Sequence, residues 1–352
     1  MALTIDGSFG EGGGQILRTA LALAAICGRP VEIGNIRRGR KKPGLRPQHV
    51  AAVKALARVT SAQVRGAEVG STRLYFEPCQ LQGGVHKLDI GTAGSTALVF
   101  QAMMPALLFA KDPSRVTMIG GTHVPWSPCF HYLKEVFAPA VSEMGGPVSL
   151  EMGSWGWYPK GGGRVVASVS PVGTLSAIDR TIRGSLTGLT VLSAVSNLTA
   201  SIAERQRDQA LKRLQAQGYA PTSVEIVKGP SPGPGTVVFL KAEFKNGGGG
   251  FTSLGRRGKP AERVADEVCS AFFEFMASGA AVDRHLADQL ALYMALARGR
   301  SSLVAETITE HLRTNIWVIE QFLPVAFEVD EPSGRVGVEG CDFSSKFLSS
   351  PP

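Results

Sequence analysis

The densest charge in this sequence is the segment Arg37-Arg38-Gly39-Arg40-Lys41-Lys42-Pro43-Gly44-Leu45-Arg46-Pro47-Gln48-His49, with six cations and no acid. Such a run can be solvated surface, but glycine, proline and a following helix N-terminus favour an anion site. They would fix guanidiniums and backbone N–H groups in a fork around phosphate oxygens. Glu11 lies among Gly10, Gly12, Gly13 and Gly14 at the start of an apolar helix. Its carboxylate can interact there with the helix dipole. Alternatively, glycines that allow close backbone approach to a ligand, with one carboxylate, suit a hard divalent ion beside phosphates. His311 is followed by Arg313, Thr314 and Asn315 in a polar stretch leading to an apolar helix. A nucleophile beside a cation and two hydrogen-bonding side chains is one reading. A structural histidine is equally open on spacing alone.

Other patterns are missing. No G-x-G-x-x-G stands in a matching β-α-β frame and no G-x-x-x-x-G-K-[ST] occurs, so an ATP site would have to be unconventional. For His49, His86, His123, His131 and His285 a structural or surface role is expected, and no H-x-x-x-H pair argues for a metal triad. Cys27, Cys79, Cys129, Cys269 and Cys341 are odd in number, scattered and never in a C-x-x-C pair. Neither a disulfide framework nor a zinc site is suggested.

The elements that must hold these residues follow a repeated order. A glycine-rich turn at Gly7 to Gly14 leads into a helix through Gln15 to Leu23, ended by Gly28 and Pro30. Gly91-Thr92-Ala93-Gly94-Ser95 leads into a similar helix, in which Pro105 predicts a kink. After each comes a short β-branched strand, then a Gly/Pro-rich loop, a second helix beginning near His49 or His131, and a strand pair. A third copy starts at Asp288, with a strand at Ser302 to Glu306. Thr309 to Asn315 takes the loop position, Ile316 to Phe322 the second helix, and Ala326 to Val338 a hairpin. The unit reads β-α-β-α-β-β, giving an α/β (α+β) fold of three repeats.

A chain of 352 residues favours two domains or one domain with an insertion. We read 1–183 and 277–352 as a large three-repeat domain, and 184–276, with its Gly/Pro-rich middle, as a small inserted α/β domain. Apolar residues are 44% and charged residues 19%, an ordinary globular composition. The net charge of +8 is a mild pull towards polyanions. No charged region followed by an apolar stretch opens the chain, and the apolar run near Ala93 to Ala110 is broken by Gln101 and Pro105. No secretory signal, no membrane span and a cytoplasmic location are expected.

The segments Glu11-Gly12-Gly13-Gly14-Gln15-Ile16-Leu17-Arg18, Gly39 through His49, Gly66-Ala67-Glu68-Val69-Gly70-Ser71, Tyr158-Pro159-Lys160-Gly161-Gly162-Gly163 and His285-Leu286-Ala287-Asp288-Gln289-Leu290 resemble the RNA 3′-terminal phosphate cyclases. The likeness covers nearly the whole chain, weakest from about Gly184 to Lys245 and after Glu339. It implies three β-α-β-α-β-β units with a small domain inserted in the third. It also implies a nucleophilic His311 and an ATP site lined by Gln101, His285, Leu286, Ala287, Asp288 and Gln289. Glu11 would lie near a divalent ion, Mg²⁺ or Mn²⁺, and Arg18, Arg37, Arg40 and Gln48 near phosphates.

The implied reaction activates an RNA 3′-phosphate with ATP through a histidine-bound AMP and closes it to a 2′,3′-cyclic ester. One departure stands at Gly120 to Pro128, where the family more often has Asn or Asp at the place of His123, which bears on the shape of the pocket there. A non-catalytic relative serving ribosomal RNA processing is the main alternative, disfavoured by the presence of His311. An enolpyruvyl transferase is disfavoured by the three units and the Arg40 to His49 segment.

Overall fold

The structure, a computed structural model, describes residues 1–344; residues 345–352, the end of the 277–352 stretch, lie outside them. The chain begins with β1 (Leu3–Asp6), α1 (Gly14–Cys27), β2 (Val31–Gly34), α2 (Pro47–Thr60), β3 (Gln63–Arg65) and β4 (Leu74–Glu77). Buried and open side chains alternate along β2 and β4, the period of a half-buried sheet. β1 and β2 pair in parallel, β2 and β4 antiparallel, β4 and β3 antiparallel, in the order β1-β2-β4-β3. Helix α1 stops at Gly28, whose left-handed backbone returns its N–H to Ala24. Helix α2 opens with Pro47, which has no N–H to leave unpaired.

The next stretch runs β5 (Gly84–Asp89), α3 (Thr96–Leu108), β6 (Ser114–Gly120), α4 (Phe130–Tyr132), a π-helical segment Leu133–Phe137, α5 (Ala138–Glu143), β7 (Val148–Ser154) and β8 (Gly163–Val169). Its sheet has the order β5-β6-β8-β7. The strand β9 (Asp179–Arg180) follows. Then come β10 (Leu186–Ser196), α6 (Ala200–Ala216), β11 (Ser223–Lys228), β12 (Gly235–Phe244), β13 (Gly247–Leu254) and α7 (Ala261–Ser278). These last four strands make a separate sheet, β11-β10-β12-β13, with its own apolar cluster around Leu189, Val238, Leu240, Phe272 and Phe275.

The chain ends with α8 (Arg284–Leu296), β14 (Arg298–Val304), α9 (Glu310–Phe322), β15 (Phe327–Asp330) and β16 (Arg335–Cys341). They join β9 in a sheet ordered β9-β14-β16-β15. All four sheets have one parallel pair followed by two antiparallel pairings, and three of them, all but β11-β10-β12-β13, also share one strand order, first-second-fourth-third along the chain. The fold is mixed α/β, as read from the sequence. Nearly every side chain of α1 from Ile16 to Ile26 is buried, because α2, α3 and α9 pack around it. Among the described residues no helix is long and apolar enough to cross a membrane.

Two boundaries differ from expectation. Helix α9 begins at Glu310, not Ile316, because Thr309 Oγ1 accepts the Leu312 N–H at 3.0 Å and caps the first turn. Helix α8 begins at Arg284, not Asp288, because Asp283 accepts the N–H groups of His285 and Leu286 at 2.8 and 3.0 Å. Each cap contributes about 1 kcal/mol. Thr314 and Asn315, polar in type, are buried on α9 rather than looped into solvent.

Candidate active site

A cleft of about 830 Å³ opens where the N-terminal ends of α1, α2, α8 and α9 meet the side of α3. Glu11 reaches it from the turn before α1, where Gly10 and Gly12 have φ of +53° and +57°. A Cβ on Gly10 would stand 2.5 Å from Thr314 Oγ1, so that turn can approach α9 only with glycine. One oxygen of Glu11 lies 2.7 Å from Arg40 Nη2 and the other 2.7 Å from Nδ1 of His311. His311 sits in the first turn of α9. Its Nδ1 is buried and makes no aligned hydrogen bond, so Glu11 acts on the ring through the field of its carboxylate. Burial holds the imidazole below its ordinary pKa; Glu11 opposes this, and Arg18, His285 and Arg40 add to it. The neutral imidazole, the form that can attack, therefore prevails at neutral pH.

The helices are locked behind these groups by one amide. Asn315 Oδ1 accepts from Gln15 Nε2 at 2.8 Å and from Thr19 Oγ1 at 2.7 Å, while its Nδ2 donates to the Asp288 carbonyl at 2.9 Å. α1, α8 and α9 are thereby tied in register. Gln15 Oε1 accepts from Arg18 Nη2 at 2.6 Å, which aims that guanidinium. Burial lowers the Arg18 pKa to about 10, with Asp288 opposing. The Asp288 carboxyl is pushed well above the usual range by burial, then by Asp283 and Glu11, against Arg18.

The basic segment is held rather than free. Arg37, in the left-handed region at φ +55°, donates from Nη1 to the carbonyls of Lys42 at 2.8 Å and Gly44 at 2.9 Å, bracing its own loop. His49 Nδ1 accepts the Arg46 N–H at 3.0 Å, and burial, then Arg18, Arg37 and Arg46, push its pKa down to about 3. This imidazole packs beneath Gly14, where a Cβ would meet His49 Nε2 at 2.4 Å and Arg18 Nη1 at 3.0 Å. Arg38, Lys41 and Lys42 are exposed and have no ion pair among the described residues.

The cleft brings together Glu11, Arg18, Arg37, Arg40, Gln48, Gln101, His285, Asp288, Gln289 and His311, all singled out from the sequence. Gln101 Nε2 donates to Gln289 Oε1 at 2.7 Å across the floor. Leu286 and Ala287 do not line it: consecutive helical residues cannot all face one side, and both are buried in the core. Arg46 and His49, read as part of the basic anion-binding segment, also line the wall, whereas the sequence did not single out Gln15 as a positioning residue or Trp126 as a wall residue. Trp126 is 96% exposed with φ +59°, a conformation uncommon for a bulky residue. Its exposure carries no sequence signal beyond two flanking prolines.

A divalent ion would find a hard oxygen donor in Glu11 at the cleft wall. One carboxylate is a common protein share for Mg²⁺ when substrate phosphates supply the rest. Glu11 fits on that count, and binding would exchange its contact with Arg40 for the ion.

Residues 9–329 match the family model described as RNA 3'-terminal phosphate cyclase. The chain is 46% identical over 341 residues to an RNA 3'-terminal phosphate cyclase of Pyrobaculum aerophilum, covering 96% of this chain and 98% of that one. It is 41% identical over 344 residues to the protein of the same name from Nostoc punctiforme, covering 96% and 99%. Among solved structures it is similar to the enolpyruvyl transferase NikO of Streptomyces tendae at a TM-score of 0.39 and 13% identity. That likeness covers 99% of this chain and 49% of the other and is too slight to carry weight. At these identities and coverages the chain belongs to the RNA 3′-terminal phosphate cyclase family.

Proposed function

We propose that this enzyme uses ATP to convert an RNA 3′-terminal phosphate to a 2′,3′-cyclic phosphodiester, through a covalent His311-AMP and then an RNA-pp-A intermediate, in the cytoplasm. The observation that carries the reading is His311, neutral and with Nδ1 2.7 Å from the Glu11 carboxylate, on the wall of a cleft lined by Arg18, Arg37, Arg40 and Arg46. In this reading residues 1–183 and 277–352 form the catalytic body and 184–276 an inserted domain with its own core.

Glu11 favours the proton on Nδ1, which leaves the Nε2 lone pair to attack the α-phosphorus as pyrophosphate departs. The phosphoramidate then carries positive charge on its ring, which the Glu11 carboxylate stabilises. An oxygen of the RNA 3′-phosphate displaces the histidine to give RNA-pp-A. The vicinal 2′-hydroxyl next attacks the 3′-phosphorus, gives up its proton and releases AMP, a closure aided by proximity. Arg18 and Arg40 offer fixed positive charge to the phosphoryl oxygens, and Gln101 and Gln289, held to each other, offer a polar edge to the base. Mg²⁺ or Mn²⁺ held by Glu11 would neutralise further phosphate charge.

Glu11→Gln separates its two assigned roles. Removing the carboxylate removes the influence that raises the His311 pKa. Less of the imidazole is then protonated in mild acid, and the acid limb of the adenylylation pH profile moves to lower pH. The rate should also lose its ordinary response to Mn²⁺ concentration. An unchanged pH profile and metal response would return Glu11 to a purely structural place at the start of α1.

The exposed cations Arg38, Lys41 and Lys42 stand outside the cleft and are assigned to RNA. At least one, changed singly to Ala, should slow AMP transfer from pre-formed adenylylated enzyme to 3′-phosphate RNA while sparing adenylylation. The salt dependence of binding should flatten by roughly 0.7 per lost contact on a single strand. A single-turnover chase across a salt series reads both. Parental rates and slopes in all three variants would move the RNA path elsewhere.

A further inference from the structure

Beside the cleft, the chain from Thr122 to Tyr132 folds two imidazoles and a thiol against one another. His123 Nε2 lies 3.0 Å from His131 Nδ1, and one ring nitrogen of each histidine and Cys129 Sγ all lie within 4.8 Å of one another. His123 and Cys129 are 1% and 2% exposed. We propose that His123, Cys129 and His131 form a zinc site, an ion clip that fixes the cleft wall, distinct from any ion held by Glu11.

The donor set is that of a borderline-soft ion, not of Mg²⁺ or Ca²⁺: two imidazole nitrogens and a sulfur, with no carboxylate. The spacing suits zinc. Two nitrogens each about 2.05 Å from a tetrahedral centre stand about 3.3 Å apart, a few tenths of an ångström from the 3.0 Å found between His123 and His131. The outer contacts also match. His123 Nδ1 lies 2.8 Å from Thr122 Oγ1, and that hydroxyl is itself fixed by the Gly156 N–H at 2.9 Å. A hydrogen bond at the far ring nitrogen is what holds a ligating histidine in the tautomer that leaves Nε2 free. Trp155 stacks on His123 with centroids 4.4 Å apart, and Trp157 and Phe239 pack apolar rings beside the two imidazoles.

On binding, the Cys129 thiol gives its proton to solvent. His131 carries its proton on Nε2, and both imidazoles stay neutral. The fourth position opens towards the cleft, which Cys129 and Thr252 both line, Thr252 Oγ1 being 3.3 Å from Sγ; a water from the cleft can fill it. The segment clipped this way carries Trp126, Ser127 and Pro128, all in the cleft wall. The pattern His-x5-Cys-x-His has neither a C-x-x-C nor an H-x-x-x-H pair, so the sequence did not suggest zinc. The strand-to-helix turn between β6 and α4 brings the three together.

The test uses the whole protein stripped with a chelator, then titrated with Zn²⁺ and separately with Co²⁺. We expect one equivalent of zinc to be retained after gel filtration. Cobalt should give a tetrahedral visible spectrum with a thiolate charge-transfer band. Cys129→Ser, nearly isosteric, abolishes that band and lowers zinc affinity at least tenfold, and His131→Asn does likewise. Glu11→Ala leaves both unchanged. Cobalt binding without a thiolate band, or zinc retention that Cys129→Ser does not alter, would overturn the site and leave a packed imidazole pair.

Discussion

Replacing His311 by Ala or Asn abolishes covalent labelling of the protein by ATP and leaves folding and RNA binding largely intact. The side chain is partly exposed on the first turn of α9, so its removal opens no core cavity. The helix keeps its Thr309 cap and its Asn315 ties to α1 and α8. What is lost is the nucleophile. No other histidine in the wall can replace it. His49 is enclosed beneath Gly14 with Nδ1 occupied, and His285, on the first turn of α8, has no carboxylate within ion-pair distance of its ring among the described residues, whereas His311 has Glu11 at 2.7 Å. Gel-shift binding and thermal melting of the variants separate loss of chemistry from loss of fold. An adduct formed by His311→Ala at the parental rate would move the nucleophile to another residue.

Arg18→Lys should slow adenylylation on the order of 10²-fold, the scale of losing one fixed donor at developing phosphoryl charge. Charge is conserved in this variant, so the compensation of buried Asp288 persists and the fold is spared. The planar fork that Gln15 aims into the cleft is not conserved, because an ammonium on a flexible stem cannot hold two oxygens at once. Gln15→Ala should lower the rate less, since it frees the guanidinium without removing it. Single-turnover labelling at saturating ATP measures both. Equal rates in Arg18→Lys and the parent would reduce Arg18 to a structural counter-charge for Asp288.

The α/β order was legible because it rests on local signals. Glycine and proline mark the ends of α1, and the apolar period shows which stretches are helices. Polar residues whose partners are distant misled the reading. Thr314 and Asn315 looked like loop, yet Asn315 is satisfied by Gln15 and Thr19 from the opposite end of the chain. Spacing alone left His311 undecided for the same reason, since its partner Glu11 stands 300 residues away; the family likeness, not periodicity, singled it out. The run from His285 to Gln289 was taken whole, whereas a helix presents only one side, which turned Leu286 and Ala287 into the core. The His123, Cys129 and His131 group escaped because the strand-to-helix turn between β6 and α4, not a familiar spacing, brings its atoms together.

The most direct test incubates the protein with ATP labelled at the α-phosphate and maps the adduct. We expect label on the protein that is acid-labile and alkali-stable, as a phosphoramidate is, that lies on the peptide bearing His311, and that is discharged by RNA with a 3′-phosphate but not by RNA with a 3′-hydroxyl. Absence of covalent label, or label on any residue other than His311, would contradict the assignment.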